Sequence, residues 1–579
     1  MRRTSILLLS ILCVFLGASR HYYQSAVQST QPVNGDWAVV QFPADPDGLN
    51  PITSVNGYGR TVEYGVNYSL VYETLLQYDI QNNWRFGKPL LAEAYPEISP
   101  DHLSYTFKIR AGVKWHDGKS FTADDVVFSA KATVCPGVDD ASARNFFTDM
   151  LNAEVLPGSK VRFTFSKPYF LNDVQLGTLY IVPKHIFDAD GLLDNLTLKD
   201  LIGAKGQADP NVKKFAEQFN KHPNNRQPIG TGPFKFEKWD TGKEIRLVRN
   251  SDYWAKKPYL DRVIFRTIQD QTAALTALKA GEVDLVPILT PVQYTQQTSG
   301  PQFDNQLAKA KYSNLTYFYI GWNEEKPLFK DKRVRQALTM LVPRQQIIDT
   351  LRFGLARIGV THFTPDSPDF DPNLKALPYD PKRAGQLLDE AGWKDTNGDG
   401  IRDKDGVPFR FEFLAASSNA FADQLLPVLK EEFRKAGIDM TEKRVEFTLQ
   451  VNMLKDHNFD AFSGAWSSPF NTDPYQIWYS GSAKDRGSNF ISYNNPEVDK
   501  ILERARMEFD PMKRKPLYWR LQEILHDEQP YTFLFYPQNT AAYSKRFQNI
   551  SWLPVTPGYD LTSWFVPKAL QKYKDSPRP

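Results

Sequence analysis

Residues 262–288 read RVIFRTIQDQTAALTALKAGEVDLVPI. RVIFRTI (262–268) has the pattern of a strand, QDQTAALTALKAG (269–281) that of a helix ending at Gly281, and DLVPI (284–288) that of a second strand. Strand, helix and strand joined by short links predict a parallel βαβ unit, because parallel neighbours need a crossover and the helix supplies it. Just upstream, EIRLVRN (244–250) reads as a further strand.

The pattern returns later in the chain. Asp380 caps a helix with Pro381 at its first position, and Ala384, Leu387, Leu388 and Ala391 form one apolar face that ends at Gly392. VPFRFEFL (407–414) reads as a strand, 419–437 as a helix and 438–447 as the strand that completes a second βαβ unit. A last capped helix runs from Asp510-Pro511 to about His526, and the apolar strand YTFLFY (531–536) follows Pro530. Near the start the character differs. SYTFKIR (104–110) alternates as a half-buried strand, Asp117-Gly118 makes a turn, and Thr122 caps a helix with Asp125 supporting its first turn. Two α/β regions separated from an α+β stretch predict a bilobal α/β protein, with a cleft between lobes as the default site.

A chain of 579 residues, 41% hydrophobic and 24% charged, is long enough for two to four structural units at about 100–200 residues each. A net charge of +3 without a long basic block argues against a nucleic-acid partner. Arg2, Arg3 and the apolar run Ile6–Leu16 predict a secretory signal peptide over residues 1–19, too short to span a bilayer. Ser19 stands where a lipoprotein would carry its lipidated Cys, so a freely soluble exported protein is expected. Only Cys13 and Cys135 exist, which leaves one thiol after cleavage and no internal disulfide.

The eight His are scattered, with no HExxH, and there is no GxSxG elbow or GxxxxGK[ST] loop. Nothing calls for an enzyme. DTNGDGIRDKDG (395–406) places Asp395, Asn397, Asp399, Gly400 and Asp403 at EF-hand positions 1, 3, 5, 6 and 9. Position 12 is Gly406 instead of a bidentate Glu, and the loop leads into a strand instead of a helix. The expectation is a solvated turn, with a weak structural calcium site as the alternative and no other cofactor.

Taken together, LVYETLLQYD (70–79), KIRAGVKWHDGKSFTADDVVFSA (108–130), IGTGPFKFEKWDTGKEIRLVRNSDYW (229–254) and YDPKRAGQLLDEAGW (379–393) resemble the extracytoplasmic solute-binding proteins of family 5, the oligopeptide- and dipeptide-binding components of ABC importers. The resemblance covers nearly the whole mature chain. It implies a hinged periplasmic-binding-protein fold that closes on a peptide and delivers it, as a monomer in the periplasm, to an inner-membrane permease. One lobe would comprise 35–75, 195–288 and 539–579, an α+β insertion 76–194, and the second lobe 289–538. In such proteins a Trp-containing loop before Asp-Pro lines the cleft, and an Asp just after the Trp pairs with the peptide ammonium. Here the loop is GAWSSPFNTDPYQIW (464–478), with Trp466 and Asp473-Pro474 in place but Pro469 where that Asp would stand. Ser467, Ser468, Asn471 or Asp473 would substitute, or the ligand lacks an exposed ammonium. Tyr475, Asn56, Tyr58, Trp322 and Asn323 complete the expected cleft residues. The alternative within the fold is a non-peptide solute such as an opine or sugar conjugate, a metal complex or haem. An exported hydrolase is the remaining alternative.

Overall fold

The computed structural model describes residues 31–573 apart from 55–58, 60, 63, 66, 67, 80–84, 140–143, 145, 146, 148, 418, 468–471, 485 and 556. Twelve strands of the described residues share one sheet. They are β1 Trp37–Phe42, β2 Phe234–Asp240, β3 Glu244–Arg249, β4 Arg262–Thr267, β5 Leu285–Val286 and β6 Leu307–Ser313, then β7 Thr316–Trp322, β8 Ala356–Ile358, β9 Arg410–Ala416, β10 Asp439–Val445, β11 Ala461–Ser467 and β12 Tyr531–Ser544. The order is β2-β3-β4-β1-β5-β12-β7-β11-β9-β10, with β6 and β8 also paired to β12.

Both βαβ units are present. β4 and β5 run parallel to β1 on its two sides, with Val40 opposite Phe265 and Leu285. The helix Gln271–Lys279 crosses between them, its first turn capped by Asp270, which accepts the Ala273 N–H at 2.7 Å. Gly281 follows at φ +73°, the left-handed conformation that ends a helix without a Cβ penalty. β9 and β10 are direct parallel neighbours, from Arg410↔Asp439 to Ala416↔Val445, joined by the helix Ala420–Lys435.

The sequence pattern ends the last strand at Tyr536, yet β12 runs 14 residues to Ser544. Its first part pairs with β7 (Phe318↔Phe535 to Gly321↔Tyr531) and its last part with β6 (Ser313↔Gln538 to Leu307↔Ser544). Only Asn314 and Leu315 separate β6 from β7, so 307–322 and 531–544 form one antiparallel ribbon through both lobes. Pro537 falls between the two ladders, where its missing N–H interrupts no rung on that side. The chain crosses between lobes at these two places. Residues 289–313 were expected in the second lobe, but Leu289, Phe303 and Leu307 pack with Val39, Ile264 and Leu275 of the first. The pattern of strands and helices could not show this, because β6 and β7 read as one stretch.

The α+β insertion carries a four-stranded antiparallel sheet of Glu97–Ile98, Ser104–Lys108, Lys160–Phe165 and Met150–Leu156. It shares its core with the first lobe: Tyr105, Phe107 and Phe163 belong to the same cluster as Val40 and Phe265. Asp125 accepts the Thr122 N–H at 2.9 Å at the start of the helix Ala123–Val134. Among the described residues no helix is long and apolar enough to cross a membrane.

One buried ion cluster closes the first lobe. Arg546 donates to Asp284 through Nε (2.9 Å) and Nη2 (2.7 Å), to Asp36 through Nη1, and to the Trp37 carbonyl at 2.7 Å. The three side chains are 0–6% exposed. Asp284 also accepts the Val39 N–H at 3.0 Å, which ties β1 and β5 to the C-terminal segment.

The acidic loop joins the helix Pro381–Glu390 to β9 at the strand's amino end. Asp395 accepts the Gly398 and Gly400 N–H groups at 2.7 and 3.0 Å, and Asp399 accepts the Ile401 N–H at 2.8 Å. Asn397 accepts the Asp399 N–H at 2.9 Å. Asp403 is drawn inward to Thr396, whose N–H and hydroxyl donate to it at 2.9 and 2.7 Å, and these bonds lower its pKa. Among the described residues no three His, Cys, Asp or Glu side chains gather into a metal cluster. The short polar side chains instead cap the loop's own amides.

Two outcomes follow from these arrangements. Replacing Arg546 by Met takes the guanidinium from buried Asp36 and leaves buried Asp284 only the Lys572 ammonium at 3.7 Å, and should destabilise the fold by about 3–5 kcal/mol. Thermal denaturation would read this as a lowered Tm, and an unchanged midpoint would contradict it. Melting in EGTA and in millimolar calcium should agree within about 1 °C, since an ion that binds the folded state tightly would raise Tm. A calcium-dependent rise of several degrees would establish a site in the 395–406 loop.

Candidate ligand-binding cleft

β5 is antiparallel to β12 and runs from Leu285, opposite Tyr543, to Val286, opposite Ala542, toward the Pro537 crossing. β1 and β4 run the same way. In the second lobe β7 is antiparallel to both β12 and β11, so β11 heads for the crossing too, and β9 and β10 run parallel to it. The carboxyl ends of both parallel sets therefore meet across the ribbon, the place where open α/β sheets bind ligands.

Trp466 and Ser467 lie at that end of β11. Trp466 pairs with Tyr317 across the ladder and stacks on Phe490 at 5.8 Å and 21°. It is half-buried, packed on the aromatic core of the second lobe. Its indole N–H, which has no hydrogen bond of ordinary geometry, lies near the Tyr319 and Tyr531 hydroxyls. Burial pushes the Tyr531 phenol up to about 12, so it stays neutral. Trp466 thus presents an apolar wall with polar groups behind it. Ser467 is exposed, and its hydroxyl bonds that of Thr316 at 2.6 Å.

Asp473 is engaged elsewhere. Its carboxylate accepts from Arg506 Nε at 2.7 Å, from the Tyr169 hydroxyl at 2.8 Å and from the Tyr475 N–H at 3.0 Å, with its side chain 8% exposed. Burial works against the Arg506 charge, but Asp473 and Tyr169 outweigh it and raise the guanidinium above its ordinary value. The Arg506 guanidinium lies 3.8 Å from the Tyr475 ring centroid and 4.7 Å from that of Tyr169. Tyr475 stacks on Tyr479 at 4.2 Å. A carboxylate already neutralised by a guanidinium is not a free partner for a ligand ammonium, which removes Asp473 from that role.

Trp322 and Asn323 are also misplaced by the sequence reading. They lie at the carboxyl end of β7, the one strand of this group that runs away from the crossing. Trp322 is wholly buried and donates to the Thr532 hydroxyl at 3.1 Å. Asn323 is equally buried and donates to the His457 and Phe459 carbonyls at 3.0 and 2.8 Å. Both are framework. Asn56, Tyr58, Ser468 and Asn471 lie outside the described residues, and the metal candidates Asp395, Asn397, Asp399 and Asp403 precede the far end of β9. Exposed Phe447 and Leu449, just after the carboxyl end of β10, were not foreseen. Nor was Tyr169, which meets Asp473 from 304 residues away. Apolar residues directly after a strand were the available signal for the first pair, and none existed for Tyr169.

Residues 87–488 match the bacterial extracellular solute-binding proteins, family 5. Over 581 aligned residues the chain is 33% identical to the oligopeptide-binding protein AppA of Bacillus subtilis strain 168, covering 98% of this chain and 99% of that one. The solved structure of AppA from Bacillus subtilis in complex with a nonapeptide superposes with a TM-score of 0.73 at 31% identity, over 93% of this chain and 100% of that one. NikZ from Campylobacter jejuni in complex with Ni(L-His) gives 0.71 at 27% identity, over 92% and 99%. Fold, cleft and sequence agree: this chain belongs to the bacterial extracellular solute-binding proteins of family 5.

Proposed function

We propose that this solute-binding protein captures peptides between its lobes and delivers them to an inner-membrane ABC permease. The observation that carries the reading is the half-buried Trp466 beside exposed Ser467, at the carboxyl end of a strand that faces the other lobe. An aromatic wall at the carboxyl end of a strand suits an extended chain of variable sequence, which is held by its main chain while its side chains stay solvated. Similarity to a protein named for oligopeptide binding, over nearly the full length, supports the same reading. Residues 468–471 carry no carboxylate and Asp473 is paired, so recognition rests on the peptide backbone and not on a free ammonium. The N-terminal charged and apolar segment supports export to the periplasm, where the protein acts as a monomer without chemical turnover of its ligand. A non-peptide solute is the second reading, favoured by the likeness to a structure that holds Ni(L-His).

Native mass spectrometry of protein purified from its own cells separates the two. A set of peptide masses released on denaturation is expected. A single metal complex or small metabolite would favour the second reading, and chemical conversion of the bound species would overturn both. In parallel, Trp466→Ala should weaken peptide binding at least tenfold, about 1.4 kcal/mol, with Tm nearly unchanged because the ring is only half-buried. Equal affinity in titration calorimetry would remove Trp466 from the site.

A further inference from the structure

The lobes touch at a second place besides the ribbon. The segment after Phe165 in the insertion carries Tyr169 and Phe170, and both dock on the second lobe. Tyr169 donates to Asp473 at 2.8 Å, the Arg506 guanidinium lies over its ring, and the Phe170 N–H donates to the Arg506 carbonyl at 3.0 Å. The contact continues to either side. The Arg514 guanidinium lies 3.8 Å from the Phe170 ring centroid, and His102 of the insertion stacks on Phe509 at 3.7 Å and 16°. The insertion shares its core with the first lobe, so this patch joins first lobe to second without a covalent link.

We propose that Tyr169, Asp473 and Arg506 form a clasp that holds the lobes together, which makes Tyr169 and Arg506 positioning residues for solute capture. Asp473 is fixed by a cation from its own lobe and a hydroxyl from the opposite one. Opening the lobes therefore removes Tyr169 from Asp473. Conversely, a ligand that draws the lobes together presents Asp473 to Tyr169. The coupling follows from geometry and needs no change in the hinge itself. A small polar and aromatic contact suits this task, because it can form and break while the ribbon stays paired.

The inference rests on the cleft reading above, and its test keeps the two apart. Tyr169→Phe removes one hydroxyl and keeps the ring over Arg506, and Arg506→Lys keeps the charge but loses the planar fork. Small-angle scattering of the ligand-free full chain needs no ligand and decides the clasp alone. Both variants should show a larger radius of gyration than the parent, with the circular dichroism of a folded protein. Stopped-flow measurement with a synthetic nonapeptide should give a dissociation rate raised about fivefold, with an association rate changed less than about twofold. A purely structural role would lower Tm and leave the radius and the dissociation rate as they are. Folded variants whose radius equals that of the parent overturn the clasp. If the parent fails to bind the nonapeptide while the radius still changes, the peptide reading fails and the clasp stands.

Discussion

Everything in this molecule is organised by one two-stranded ribbon, residues 307–322 against 531–544. Because its strands are antiparallel and each runs through both lobes, every strand added on either side inherits a direction relative to the crossing. In the first lobe that direction sends the carboxyl ends of β1, β4 and β5 toward the second lobe. In the second it sends those of β9, β10 and β11 back. The cleft is the consequence of this arrangement and not a separate design. The ladder gap at Pro537, opposite Asn314 and Leu315, is where the ribbon has fewest rungs, and it is there that the lobes change.

The same directions explain the chemistry of the cleft. Trp466 stands where β11 ends, with the Tyr319 and Tyr531 phenols behind it and Phe490 against its face. Charge is neutralised close by: the Asp473 carboxylate meets the Arg506 guanidinium and the Tyr169 hydroxyl. Among the described residues at this end of β11, an apolar wall stands beside a carboxylate that is already paired.

Much of the fold was legible because it is written locally. The apolar runs at 262–268 and 407–414, the helix between 269 and 281 with its terminal Gly281, and the caps at Thr122 and Asp380 all act within a few residues. What could not be read is non-local or directional. Trp322 and Asn323 were given to the cleft because strand ends bind ligands, but periodicity does not reveal that β7 runs opposite to its neighbours. Asp473 looked available because nothing in the sequence announces Arg506 as its partner, or Tyr169 from the other lobe. The continuation of β12 past Pro537 was hidden by the proline itself, which marks a strand end unless its missing N–H falls in a gap between ladders. In the acidic loop, spaced as a calcium loop would be, Asp395 and Asp403 accept hydrogen bonds from the loop's own N–H groups.

In the proposed binding mode, ligand sits between the carboxyl ends of the two parallel strand sets, against Trp466. A crystal structure of the protein with the ligand that co-purifies from its cells tests this most directly. Ligand density is expected in contact with the indole of Trp466 and the backbone at Ser467, with the first lobe closing the other side. Density on the outer face of either lobe, or in the acidic loop, with Trp466 untouched, would contradict it.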